Sequence, residues 1–334
     1  MAFQDYSLIQ APMAGGLSTA DVVAGASRAG ALGSLGAGYL SGDAIMAAAD
    51  GVRSAGGDAF AINLFIPAQR DATDAEWRAA LKALAPGYRQ AGVPLPDHFP
   101  PMPDFREQFD AMLEARPAVF SWTFGRLPRS MMAACRARGI TLVGTATSRD
   151  EALALAGDGV DGIVLQGEEA GGHRGGTDPL GEGLPLAALL DACRGLETPL
   201  IAAGGLMDGA DLARVVDAGA AAGQLGTAFL RCPEAGTAEG WRQALADAGP
   251  DATAVTRAVS GRWARGIANA WMDGRAPTEV APYPDQHRLT SPLRKAAGVE
   301  WKSLWAGTGA HRSRALPVEE LVRVIEEERR AAGR

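Results

Sequence analysis

The sequence predicts an α/β fold, a barrel of eight parallel strands wrapped by eight helices, and three observations carry that reading. Short apolar runs recur eight times along the first two thirds of the chain. Alanine-rich helical stretches separate them, and such alternation means parallel strands joined by crossovers. The runs end in glycines, amides and hydroxyls, at the strand ends where barrel enzymes carry their chemistry. Eight βα units close a (β/α)8 barrel; a doubly wound open sheet is the alternative that the pattern leaves.

Strands are expected at 8–14, 31–36, 59–65, 118–123, 140–146, 162–166, 200–203 and 223–227. Helices are expected near 19–29, 43–55, 105–115, 128–138, 148–157, 184–194, 208–218 and 234–248. A closing helix begins at Pro317, with Val318, Leu321, Val322 and Ile325 at the i, i+3, i+4, i+7 spacing of one buried face. Two long connections break the rhythm. Residues 67–104 hold seven of the 20 prolines together with Trp77, Tyr88 and Phe99, the mark of a lid or an inserted subdomain. The other is the glycine-rich stretch 167–183 after the sixth strand. Residues 1–248 therefore read as the barrel with 67–104 inserted, and residues 249–334 as a smaller cap, or substrate region, and the closing helix.

Composition narrows the function. The 334 residues are 47% hydrophobic and 21% charged, as in a globular enzyme with a large core. A net charge of −7 with no basic face argues against nucleic acid as a partner. Cys135, Cys193 and Cys232 form no paired or zinc-like spacing, which suits a reducing cytosol. The first residues show no secretory signal pattern, and no apolar run reaches the ~18–20 residues of a membrane span, so a cytoplasmic protein is expected. A homo-oligomer stays open.

The strand ends exclude several chemistries. Lys82, Lys295 and Lys302 all lie away from them, against a Schiff-base aldolase. No H-x-H and no carboxylate cluster occurs there, so no metal site is expected. The paired acids of a glycosidase are missing too. What remains is glycine, amides, hydroxyls and one histidine, groups that bind a cofactor which does the hard chemistry itself.

Gly204-Gly205 and Gly226-Thr227 end the last two strands, where barrels hold phosphate on exposed backbone N–H groups. Gly-Gly pairs are also plain turns. Asn63 and Gln166 offer a donor and an acceptor on one planar group, which suits a flavin ring edge or a structural tie. His173 sits among Gly171, Gly172 and Gly175 in a loop with no element of its own to pack into. Its ordinary pKa near ~6.5 suits proton transfer, and the neighbouring Arg174 is expected to keep it neutral and to help hold an anion. His98, His287 and His311 read as surface or packing residues.

At these residues the sequence resembles the nitronate monooxygenase family, also known as 2-nitropropane dioxygenase-like proteins. The matching segments run in order across the barrel: Ala11-Pro-Met-Ala-Gly-Gly16, Leu35-Gly-Ala-Gly-Tyr39, Asn63-Leu-Phe65, Thr123-Phe-Gly125, Val143–Ser148, Gly167-Glu-Glu-Ala-Gly-Gly-His-Arg-Gly175, Ala202-Ala-Gly-Gly205 and Gln224-Leu-Gly-Thr227. Ser260-Gly-Arg262, Arg265-Gly266 and Leu304-Trp-Ala-Gly307 look like the family's C-terminal part. The resemblance implies FMN in a TIM barrel under a small cap. It implies FMN contacts from Ala11, Pro12, Met13, Asn63, Gln166, Gly171, Gly172, Gly204, Gly205, Gln224, Leu225, Gly226 and Thr227, with His173 facing substrate as the catalytic residue. The implied reaction oxidises an alkyl nitronate, such as propionate 3-nitronate, with flavin and O2 to a carbonyl compound and nitrogen oxides. An NAD(P)H-dependent reductase of the enoyl-acyl-carrier-protein reductase II type shares the barrel and a similar G-G-H loop, and a non-catalytic flavin module would use the same phosphate site.

Overall fold

The computed structural model describes residues 3–68, 70–269, 272, 279–296 and 298–333. Eight strands form one parallel sheet: β1 (Leu8–Gln10), β2 (Gly33–Gly36), β3 (Phe60–Phe65), β4 (Val119–Thr123), β5 (Thr141–Ala146), β6 (Gly162–Gln166), then, beyond the two-residue β7 (Gly172–His173), β8 (Leu200–Ala203) and β9 (Ala222–Leu225). Their order is β1-β9-β8-β6-β5-β4-β3-β2, and a parallel bridge between Ile9 and Leu32 joins β1 to the start of β2, so the sheet closes on itself. The predicted barrel is present.

The first strand is shorter than the 8–14 expected. Pro12 has no N–H to give a ladder, so pairing stops at Gln10 and residues 11–16 become a loop over the barrel mouth. Gln10 secures that exit. Buried, it accepts from the Ser34 N–H at 2.9 Å and donates to Ser18 Oγ at 3.1 Å, while Ser18 Oγ accepts the Met13 N–H at 2.9 Å. The last strand likewise ends at Leu225, and residues 227–229 form a 3-10 turn instead of strand.

One inward side chain from most strands fills the barrel: Ile9, Ala61, Val119, Val143, Val164, Ile201 and Ala222, with Phe3 plugging the bottom. Gly162 makes room for that plug, since a Cβ there would lie 2.5 Å from the Phe3 ring. Helices α1 (Ala20–Arg28) and α2 (Gly42–Ser54) follow β1 and β2. The expected closing helix spans Val318–Ala332 and buries Val318, Leu321, Val322 and Ile325 against the barrel shell. Each such side chain contributes roughly 1.5–3 kcal/mol.

The proline-rich insertion contains a helix that its prolines conceal. Helix α3 (Asp74–Ala91) starts on a capping box, Thr73 with Glu76, and stops at Gly92 in the left-handed region at φ 66°. It packs on a helix (Asp285–Ala296) from the C-terminal part through Leu84, Tyr88, Leu289, Leu293 and Trp301. Gly87 permits the approach; a Cβ there would sit 2.5 Å from the Trp301 indole. Trp77 and Phe99 meet edge to face at 4.3 Å, and the Arg288 guanidinium lies over Phe99 and donates to its carbonyl oxygen. Aromatic burial on this scale anchors the segment. Limited proteolysis should therefore spare 67–104 while the rest of the chain is folded; rapid cutting throughout it would contradict this packing. In the C-terminal segment 249–316, positions 270, 271, 273–278 and 297 lie outside the described residues.

A second, three-stranded sheet has the order β10 (Thr253–Thr256), β11 (Ala264–Ile267), β7. The sequence reading left 172–173 in a loop. In the structure His173 pairs with Ala264 and Gly172 with Arg265, so the C-terminal segment grips the histidine's backbone. No helix among the described residues is long and apolar enough to cross a membrane.

Candidate active site

A cavity of about 1230 Å³, including open solvent at its mouth, lies at the C-terminal ends of the barrel strands. His173 and every residue expected to contact the cofactor line it except Leu225. The Leu225 side chain lies in the shell between barrel and helices, and its carbonyl accepts the Ala11 N–H at 2.8 Å. Period-2 alternation explains this: Gln224 and Leu225 face opposite sides of the sheet. Among the described residues the cavity wall carries no carboxylate, ammonium or guanidinium.

One end of the cavity is lined with backbone. Gly204 and Gly205 have φ of 126° and 70°, conformations that glycine adopts without a Cβ penalty. Among the described residues, the N–H groups of Gly204, Gly205, Gly226 and Thr227 have no protein acceptor. Thr227 Oγ1 accepts the Gly307 N–H at 2.9 Å, and Thr308 N–H donates to the Glu169 carbonyl at 3.0 Å. These bonds seat the C-terminal segment beside the glycines. Gly171 serves that seat as well, since a Cβ there would lie 2.5 Å from the Gly307 nitrogen.

Both amides have structural ties. Asn63, buried, donates from Nδ2 to Ser121 Oγ at 2.9 Å. Gln166 uses both ends of its amide on the histidine loop: Nε2 donates to the His173 carbonyl at 3.1 Å, and Oε1 accepts the Gly175 N–H at 2.7 Å.

The His173 ring stands in an aromatic box. Its centroid lies 5.9 Å from Phe124, 5.5 Å from Tyr283 and 5.6 Å from Trp305. Its Nε2 is buried with no hydrogen-bond partner, and so is the hydroxyl of Thr123, another residue of the wall. Burial, followed by the charges of Arg262 and Arg294, pushes the imidazole pKa down to about 3. The ring is neutral at physiological pH. Because the folded value is depressed, the stability it contributes is present above the unfolded value near ~6.5 and is lost as pH falls toward about 3.

The neutrality was expected, but from the wrong cation. Arg174 turns away from the cavity: its Nη1 donates to the Gly181 carbonyl at 2.9 Å, and its guanidinium lies 5.9 Å from the Trp263 ring centroid. Side chains of neighbouring residues leave a strand on opposite faces, so an arginine beside the histidine cannot share its side. His287 is a packing residue, one of the two roles expected of it. It stacks on Tyr39 at 4.3 Å and 11°, and the Arg294 guanidinium donates to its Nδ1 at 3.1 Å. His98 and His311 are exposed, as read.

Sequence reasoning gave no role to Tyr39, Phe65, Thr123, Phe124 or Thr145, which all line the cavity. Their signal was position: Thr123 and Phe124 close β4, Phe65 ends β3, and Tyr39 follows β2. Trp305 lines the cavity too, while Trp301 lies in the packing of α3.

A barrel whose mouth holds a cavity lined by unused backbone amides and a neutral imidazole, with no charged group on its wall among the described residues, fits enzymes that leave oxidation and reduction to a bound cofactor. The particular family follows from comparison: the nitronate monooxygenase model matches residues 2–328, and the chain belongs to that family of oxidoreductases. It is 39% identical to a nitronate monooxygenase of Paraburkholderia phytofirmans over 97% of this chain and 92% of the relative. It is 38% identical to that of Pseudomonas aeruginosa over 97% and 96%. A solved nitroalkane oxidase from Streptomyces ansochromogenes superposes with a TM-score of 0.92 at 36% identity, covering 98% of this chain and 96% of its own. FabK from Thermotoga maritima, at 22% identity and a TM-score of 0.77, shares the fold alone.

Proposed function

We propose that the protein binds FMN in this cavity and oxidises preformed alkyl nitronates with O2, releasing a carbonyl compound and oxidised nitrogen. The observation that carries the reading is the unpartnered, neutral His173 on a cavity wall free of ionised groups. The residues present fit FMN. Gly204, Gly205, Gly226 and Thr227 would hold its phosphate on their unused N–H groups, and Ala11, Pro12, Met13, Asn63, Gln166, Gly171, Gly172 and Gln224 would border the rest. When bound, FMN supplies the redox chemistry that links nitronate oxidation to O2. The chain's own residues orient the substrate and exclude water: Phe65, Phe124 and Trp305 give apolar walls, and His173 and Thr123 offer hydrogen bonds to the nitro oxygens. A base with a pKa of about 3 removes carbon-bound protons slowly, which favours the ready-made anion over the neutral nitroalkane. The same reading divides the chain near residue 248, with α3 of the insertion and the segment beyond 248 covering the site in a cytoplasmic enzyme.

The purified protein should show a flavin spectrum. Mixed anaerobically, it should be reduced by propionate 3-nitronate and left oxidised by NAD(P)H. Reduction by NAD(P)H alone would favour the reductase. A flavin that neither compound reduces would leave a binding module.

A further inference from the structure

Arg262 sits behind the His173 loop and is 3% exposed. Among the described residues no carboxylate pairs with it directly, and Glu151 and Asp178 act on its charge only from longer range. Its Nε donates to the Arg174 carbonyl at 2.8 Å and its Nη2 donates to the Gly176 carbonyl. Its guanidinium carbon lies 4.1 Å from the centroid of the Phe124 ring, a cation–π contact. Phe124 is itself held in an unusual conformation, with φ of 76°, and its N–H donates to the Gly175 carbonyl at 2.8 Å. Non-glycine residues in that region are strained and cluster at functional sites. Arg262 thus braces the two stretches, 174–176 and 124, that bracket the histidine. Burying a charge without a counterion is costly, and a neutral side chain could make carbonyl bonds at less expense.

Resting on the reading of the preceding subsection, we propose that Arg262 is the specificity-determining residue that makes this cavity prefer anions, its charge, unpaired by any direct carboxylate contact, favouring the nitronate while its two carbonyl bonds position the His173 loop. It acts through field and positioning, since it does not line the cavity itself. The other charged or titratable groups around the histidine and Arg262 are Arg265 on β11, Arg174 on the histidine's own loop, Tyr283, Tyr39, His287 with Arg294 on the Asp285–Ala296 helix, and the carboxylates Glu151 and Asp178, which act on Arg262 and temper its field. Arg294 differs from Arg262 in its company: it donates to His287 and Thr290, and the tyrosines 39, 88 and 283 surround it. The charge of Arg262 acts directly on the imidazole and opposes its protonation.

Two variants and two readouts test this. KM and kcat are measured for propyl-1-nitronate, with neutral 1-nitropropane as competing inhibitor, and the His173 imidazole is titrated by NMR. Arg262→Met should raise the nitronate KM roughly tenfold, change kcat less and leave the nitropropane inhibition constant in place. The imidazole midpoint should move up toward its ordinary value. Arg262→Lys keeps the charge without the fork, so it should recover most of the anion preference. Equal changes for anion and neutral compound, no change for either, or a lysine variant that behaves like methionine would each overturn the proposal. Should Arg262→Met fail to fold, the lysine variant decides alone: retained anion preference supports the inference and its loss refutes it. If the unaltered protein fails to oxidise nitronates, the proposed function is at fault, and the imidazole titration in the variants still decides the role of the charge.

Discussion

Gly205→Asp is expected to strip most of the flavin from a protein that still folds. Gly205 stands at φ 70°, where aspartate is among the better-tolerated non-glycine residues, so the backbone cost is modest. Its new Cβ would meet Glu169 Cβ at 3.1 Å and Thr308 Oγ1 at 3.3 Å, contacts that a few tenths of an ångström relieve. The charge does the damage. A carboxylate would stand beside the proposed phosphate, among N–H groups with no protein acceptor to share. Repulsion between like charges a few ångströms apart reaches several kcal/mol at the effective dielectric near a protein surface. That is a loss of two or more orders of magnitude in flavin affinity. Gly205→Asn separates shape from charge, since it is nearly isosteric and tolerates the same backbone. Visible absorbance of the purified variants should therefore rank unaltered protein above Asn, and Asn far above Asp. A folded aspartate variant with full flavin content would remove the end of β8 from the site.

The fold was legible in the sequence because each βα unit announces itself locally. Eight apolar runs with helical spacers identify eight strands, and a neighbour-by-neighbour pattern suffices to close a barrel. The lining of the candidate site was legible for a related reason: strand ends border the barrel mouth, so the placement of His173, Asn63, Gln166 and the paired glycines around one cavity could be named from position. What failed were contacts between segments far apart in the chain. Helix α3 lay hidden because prolines dominate its surroundings, although Thr73 and Glu76 spell a capping box. Its burial depends on Trp301, over 200 residues away. Burial does most to keep His173 neutral, and the cations that add to it are Arg262 and Arg294 from the C-terminal part, whereas the sequence pointed to the neighbouring Arg174. No local pattern tells which distant arginine arrives. Side-chain direction misled in the same way at Leu225, whose alternation sends it into the core shell next to a cavity-lining Gln224.

His173→Asn should separate two roles that the same ring could play. The ring is the one imidazole on the cavity wall among the described residues, and its Nε2 has no protein partner to lose. An asparagine keeps a donor and an acceptor but cannot take up a proton near neutrality. On a neutral nitroalkane, already a slow substrate for so weak a base, removal of that base should lower kcat/KM by about 10²–10⁴-fold. On a preformed nitronate no proton needs removing. There the loss should stay near tenfold and fall mainly on KM, because a hydrogen bond to a charged group contributes about 1.5–3 kcal/mol and the amide restores part of it. Flavin content should be unchanged, since the proposed phosphate contacts lie in the turns that follow β8 and β9. With the imidazole pKa at about 3, the nitronate profile of the unaltered enzyme should show no inflection from this residue between pH 5 and 8. Only below that range would its protonation begin. Equal losses on both substrates would make His173 an orienting group and nothing more. An inflection near the ordinary histidine value that vanishes in the variant would contradict the depressed pKa. A variant that turns over both substrates at the original rate would take His173 out of the site, and with it the reading of the β7 loop as the substrate-facing wall.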